Sequence, residues 1–313
     1  MTVSAALLGV LWARLPEVHL SALIPRWSVG NVLLIGSGIT FFLVSYGCAS
    51  ARWHHMLRLL GIRAERGRVL RHTLAGQFVS VALPGSVGGD VLRARRLAGE
   101  VGDGSGVAAS VALERLTGWA VLPLFTLIGF VFDTGLRHAG RAAQVALLVA
   151  LGTWLVLGVL MVAGGHRSLG RRFSGAAPGW RRMVGTTHMG LTSLRSRPRE
   201  GLEVFFAGAL LSLAQIAAAY TAARVLGIDQ VGATALLVFY PAIGILQVLP
   251  IAVGGLGVRE WALTLFLNPL GVPTERAVAL GLLLYLLTVA TSLSGAPAFA
   301  LGIRRPHPGG AGA

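Results

Sequence analysis

Leu83-Pro84-Gly85-Ser86-Val87-Gly88-Gly89-Asp90-Val91-Leu92-Arg93 and Leu249-Pro250-Ile251-Ala252-Val253-Gly254-Gly255-Leu256-Gly257-Val258-Arg259 are two copies of one motif, Leu-Pro-x-x-Val-Gly-Gly-x-x-x-Arg. Each copy closes an apolar run. Proline ends an incoming helix because it lacks an N–H and its ring clashes with the preceding turn. The glycine pair permits a tight turn and close approach of another backbone or a ligand. The outgoing helix then starts with unsatisfied N–H groups and a positive dipole end, which suits an anion. Arg93 and Arg259 follow about one turn later, where a guanidinium can hold a phosphate through two bonds. The run before the first copy, Thr73–Leu83, reaches only about 17 Å at the helical rise. Arg93, Arg95 and Arg96 return the chain to positive charge almost at once. An apolar run that goes partway in and comes back describes a re-entrant hairpin.

Outward from the motif, composition sets the solvent. Of the 313 residues, 54% are hydrophobic and 12% charged, and mean hydropathy is +0.72. A soluble domain carries about 25% charged residues, so the chain lacks charge for a water-facing surface. Spans need about 20 apolar residues. Asn31–Ala51, Val107–Phe132, Ala142–Ala163, Val204–Leu226 and Ala277–Ile303 reach that length, while Met1–Ala13, Ala233–Pro250 and Trp261–Leu270 are shorter. The expectation is an all-α polytopic membrane protein of about six to eight transmembrane helices. It forms a single membrane domain over 1–313: a first half 14–163, a basic loop 164–203, a second half 204–303 and a tail 304–313.

Net charge is +15, and every basic residue is arginine. The arginines cluster in loops between apolar runs, which favours an anionic membrane face over nucleic acid. Residues 52–100, 164–203 and the C-terminus hold nineteen of the 27, against six in the opposite loops. The positive-inside rule therefore puts the 164–203 loop and the C-terminus in the cytoplasm of a cell membrane. Arg52–Trp53, at the end of the first full span, looks like an interfacial charge and aromatic. Three spans separate the motif copies when Ala233–Pro250 is taken as half a hairpin. An odd number makes the copies enter from opposite faces, the inverted repeat of many transporters, whose substrate site lies near the midplane.

Glu114 and Arg115 lie inside a span, where burying either costs about 2.5 kcal/mol or more. They point about 100° apart on a helix and need partners elsewhere. Asp90, Arg93, Arg259 and Glu260 are the candidates, for instance Glu114 with Arg259 and Arg115 with Asp90. A fixed structural salt bridge explains such charges as well as a gate or headgroup site does, and Asp90 also suits a helix N-cap. Any single glycine of the motif is better explained by close helix packing, whereas the two motifs taken together favour a substrate path. The candidate substrate-binding set is Pro84, Gly85, Gly88, Gly89, Asp90, Arg93, Glu114, Arg115, Pro250, Gly254, Gly255, Gly257, Arg259 and Glu260. No catalytic residues are assigned. Cys48, the only cysteine, allows no intramolecular disulfide. The histidines lack metal-ligand spacing and no phosphate-binding glycine loop occurs, so neither a metal nor another cofactor is expected.

Arg52–Trp53, Gly76-Gln77-Phe78 leading into Leu83-Pro84-Gly85 and Gly88-Gly89-Asp90, Glu114–Arg115, and Gly254-Gly255-Leu256-Gly257-Val258-Arg259-Glu260 after Pro250 resemble one family. It is the transmembrane region of lysylphosphatidylglycerol synthases, which also occurs alone as flippase-like membrane proteins. The resemblance runs from about residue 29 to 303. It implies movement of an anionic-headgroup lipid, or a lipid-linked precursor, between leaflets, with membrane lipids as partners. The synthases carry a soluble aminoacyl-transfer domain. This chain ends ten residues after Ile303, so aminoacyl transfer is not expected. Two other classes stay open. One is a membrane-embedded transferase acting on a lipid phosphate, with Asp133 and Asp229 as outer-loop carboxylates. The other is a scaffold that docks a separate lipid-modifying synthase through 164–199.

Overall fold

A computed structural model describes residues 28–82, 87–165, 190, 197–247 and 257–303. The described residues are helical with short connections, and no strand occurs among them. The helices are α1 (Val29–Leu59), α2 (Arg66–Ala82), α3 (Val87–Val101), α4 (Gly104–Phe132), α5 (Arg141–Gly165), α6 (Pro198–Val225), α7 (Ala233–Gln247), α8 (Val258–Leu267), α9 (Thr274–Ser292) and α10 (Ala296–Ile303). Five segments are long and apolar enough to cross a membrane: α1, α4, 141–160 of α5, α6, and the continuous stretch Thr274–Gly302. The chain is a multi-pass all-α membrane protein. Helix α7 is apolar but only 15 residues long.

Helix ends follow local chemistry. Ser28 caps α1 by accepting from the Asn31 N–H at 3.2 Å, and Asp103 caps α4 by accepting from Gly106 at 3.0 Å. Helix α6 begins at Pro198, six residues before the expected Val204. Proline fits the first helical turn, where its missing N–H has no partner to lose, and Glu200 complements the positive end of the dipole. The end of the basic 164–203 loop is therefore helix. Helix α1 continues to Leu59, well past the expected Ala51, which carries Arg52 and Trp53 inside the helix.

The packing repeats itself. Helix α1 packs on α2 as α6 packs on α7; α2 on α3 as α7 on α8; α3 on α4 as α8 on α9. Across the halves, α4 meets α7 as α9 meets α2, and α4 meets α6 as α9 meets α1. Helix α5 meets α7 as α10 meets α2, while α1 and α6 pack on each other. Close approaches are made where side chains are small. At Gly38 of α1 an added Cβ would meet Thr221 Oγ1 of α6 at 3.0 Å. Leu148, Leu151, Leu155 and Val159 of α5 remain exposed, as befits a helix side facing acyl chains.

Candidate functional site

Helices α1, α3 and α4 bring five charged side chains together. Arg52 Nη2 donates to Glu114 Oε1 at 3.0 Å, and Arg93 Nη2 donates to Glu114 Oε2 at 2.7 Å. Arg93 Nε donates to Asp90 Oδ1 at 2.9 Å, one turn back on α3. Arg115 Nε donates to Asp90 Oδ2. Glu114 is 3% exposed and Arg93 8%, so both carboxylate oxygens of Glu114 are used inside the protein. Three guanidiniums against two carboxylates leave one positive charge in excess. Charge-assisted bonds of this kind are what make such a cluster tolerable away from water.

Apolar and small residues hold the cluster in shape. The Arg93 guanidinium lies over the Trp53 ring, 4.5 Å from its centroid, a cation–π contact. Trp53 is fully buried and donates from Nε1 to Ser110 Oγ at 2.9 Å. It is therefore no interfacial anchor: it is a packing platform for the arginine. Arg52 passes between two glycines. At Gly118 of α4 a Cβ would meet Arg52 Nη1 at 2.5 Å, and at Gly208 of α6 it would meet Arg52 Cδ at 3.5 Å. Glu114 sits ten residues into α4, about 15 Å along the axis at the helical rise.

The expected partners divide. Arg115 pairs with Asp90 as anticipated, but Glu114 takes Arg52 and Arg93 in place of Arg259. Arg259, on α8, donates from Nε to Gln247 Oε1 at 3.1 Å. Glu260 bonds its own helix end: its Oε2 accepts the Gly257 N–H at 2.6 Å. Gly257 has φ +86°, a left-handed value that favours glycine. Glu260 is thus a cap at the third helical position, and it is 1% exposed. Asp90 lies inside the first turn of α3, beyond the N-cap position, and its carboxylate turns to the arginines. Gly89 is buried at a backbone crossing, where a Cβ would collide with the Gly76 carbonyl oxygen of α2. Gly88 begins the same helix beside it and is partly exposed. Pro84, Gly85, Pro250, Gly254 and Gly255 lie outside the described residues.

Arg52 belongs to the site and was absent from the sequence-based set. The only sequence signal was its adjacency to Trp53, and the burial of that ring is seen in the fold alone.

The cluster forms one wall of a cavity of about 260 Å³ that also touches Gln77, Trp119, Ser212, Gln215 and Tyr240. At about 30 Å³ per liquid water, it has room for several waters or a small polar headgroup. Arg259 and Gln247 line a second cavity of about 220 Å³, with Ser45, Tyr46 and Thr288. The arrangement can hold an anion against buried guanidiniums while acidic side chains compete for the same donors.

The family model for the lysylphosphatidylglycerol synthase TM region matches residues 1–295. No curated protein matches the chain.

Proposed function

The chain belongs to the lysylphosphatidylglycerol synthase transmembrane-region family, and from that premise we propose that it moves an anionic-headgroup lipid, or a lipid-linked precursor, between the leaflets of the cell membrane. The observation that carries the reading is the buried cluster Arg52, Asp90, Arg93, Glu114 and Arg115 on the wall of a 260 Å³ cavity. A lipid phosphate would exchange with Asp90 and Glu114 for the guanidiniums while the acyl chains stay in the bilayer. The paired contacts of the two halves support an inverted repeat, in which α2–α3 and α7–α8 are the two re-entrant hairpins and the cavities sit near the midplane. The arginine distribution orients the 164–203 loop and the C-terminus toward the cytoplasm. In this reading the chain makes and breaks no covalent bond.

The test is reconstitution into phosphatidylcholine–phosphatidylglycerol vesicles with fluorescent phosphatidylglycerol, read by chemical quenching of the outer leaflet. The reading expects probe in the inner leaflet to become accessible faster than in empty vesicles. Rates equal to those of empty vesicles, with folded protein present, refute it. Chemical conversion of the lipid without leaflet exchange favours the membrane transferase instead.

A further inference from the structure

The two cavities share a wall. Ala49, Gln77, Leu211, Gln215, Tyr240 and Gly244 line both. The first cavity holds the Arg52–Arg93–Arg115 cluster and the second holds Arg259. Among the described residues the shared wall contains no charged side chain: its polar members are two amides and a phenol, from α2, α6 and α7. The Gln77 and Gln215 side chains make no hydrogen bond to another described residue, though each is only partly exposed. Leaving an amide without a partner in an apolar medium costs free energy on the order of 1–3 kcal/mol in proteins. Amides kept in this position from separate helices therefore face water or a polar group of a ligand.

Gly244 gives the wall its clearance. Among the described residues, a Cβ built there meets nothing closer than Leu122 Cδ1 at 4.0 Å, so the glycine is not packed against any of them. Its backbone is ordinary helix, and no positive φ requires glycine. Position 244 lines both cavities and has room for a side chain among the described residues.

We propose that Gln77, Gln215 and Tyr240, with the gap at Gly244, form a neutral hydrogen-bonding waist through which the polar headgroup crosses from one arginine chamber to the other. The amides and the phenol supply both donors and acceptors, so they can solvate phosphate oxygens and hydroxyls without trapping either. A charge at the waist would hold an ion in place; neutral partners let it pass between cationic stations. The inference rests on the lipid-movement reading, and it names the residues that decide whether the headgroup goes through the protein or around it.

The experiment uses the full chain in phosphatidylcholine–phosphatidylglycerol vesicles with fluorescent phosphatidylglycerol. Gly244→Phe plugs the waist, and the double variant Gln77→Leu/Gln215→Leu keeps its bulk while removing the amides. Leu155→Phe, on the exposed side of α5, is the size-matched control. Size-exclusion profiles and thermal midpoints in detergent establish that each variant is folded. The inference expects at least a tenfold lower rate for the plug and for the double variant, with Leu155→Phe unchanged. Folded Gly244→Phe and the double variant both at the wild-type rate overturn the waist while lipid movement stands. If only the plug slows exchange, the hydrogen-bonding role is overturned. Wild type at the rate of empty vesicles overturns lipid movement itself, and the waist with it.

Discussion

Glu114→Ala removes the one acceptor that Arg52 and Arg93 share. Arg93 keeps Asp90 at 2.9 Å and the Trp53 ring, while Arg52 loses the only acidic partner it has among the described residues. Breaking a buried pair by deleting one partner costs about 3–5 kcal/mol, because a charge is left without compensation. Arg52 is 13% exposed and can swing toward the cavity, which puts the expected loss at the lower end, about 3 kcal/mol. Glu114→Gln keeps the shape but leaves one acceptor oxygen for two arginines, so one guanidinium faces the amide NH2 and loses its bond, at a cost of roughly 1–3 kcal/mol. The assay is reversible unfolding in detergent micelles, run as a double-mutant cycle with Arg93→Ala. A coupling of about 1–3 kcal/mol between the two positions is expected. If Glu114→Ala stays within about 0.5 kcal/mol of wild type and the double variant is additive, the cluster carries no such energy and the reasoning fails.

Three further outcomes follow from the geometry. Arg259→Ala, which empties the second cavity of its cation, cuts lipid exchange far more than Arg304→Ala in the tail; equal effects would deny Arg259 any role in transport. Gly281→Ala puts a Cβ at 2.8 Å from Glu260 Oε1 and 2.9 Å from its Cγ, so the buried side chain must shift and its bond to the Gly257 N–H is strained. The expected cost is about 1–3 kcal/mol in detergent unfolding, and a neutral result would show that the cap is slack. His72, beside Glu100 at 3.3 Å, is held below its usual pKa of 6.5 mainly by burial, with Arg96 and Arg71 acting the same way and Glu100 opposing them. The folded state then binds the proton more weakly than the unfolded one, so this stability is full above pH 6.5 and falls as pH drops toward the folded value. His72→Gln flattens the thermal midpoint between pH 7.5 and 5.5 relative to wild type; parallel curves would refute it.

Much of this architecture is legible in the chain, for a physical reason. Helices α4 and α5 start and stop within three residues of the apolar runs Val107–Phe132 and Ala142–Ala163, because hydropathy and span length impose the same limits. Helix α1 exceeds its apolar run because Arg52 and Trp53 are accommodated inside the protein, which hydropathy alone does not register. The Asp90–Arg115 pair followed from the need of buried charges for partners. The Glu114–Arg259 pair did not form, because motif symmetry does not extend to the charges: where the first copy has Asp90, the second has Leu256. The first half therefore collects the ion cluster, while Arg259 donates to an amide, Gln247. Which arginine reaches which acid depends on glycine slots such as Gly118 and Gly208, set by helix positions that no local pattern encodes.

The contact of Gly89 with the Gly76 carbonyl has a mechanical consequence. Two helices touching backbone to backbone have no compressible side chains between them at that point, so a displacement of α2 there is passed directly to α3. Gln77 follows Gly76 on one arm, and Arg93 stands one turn beyond Gly89 on the other. In the waist proposal, a shift of α2 that widens the passage at Gln77 would also move Arg93, which is bonded to Glu114 at 2.7 Å. On that proposal, opening the path and loosening the ion cluster would be coupled through a pair of residues that have no side chains.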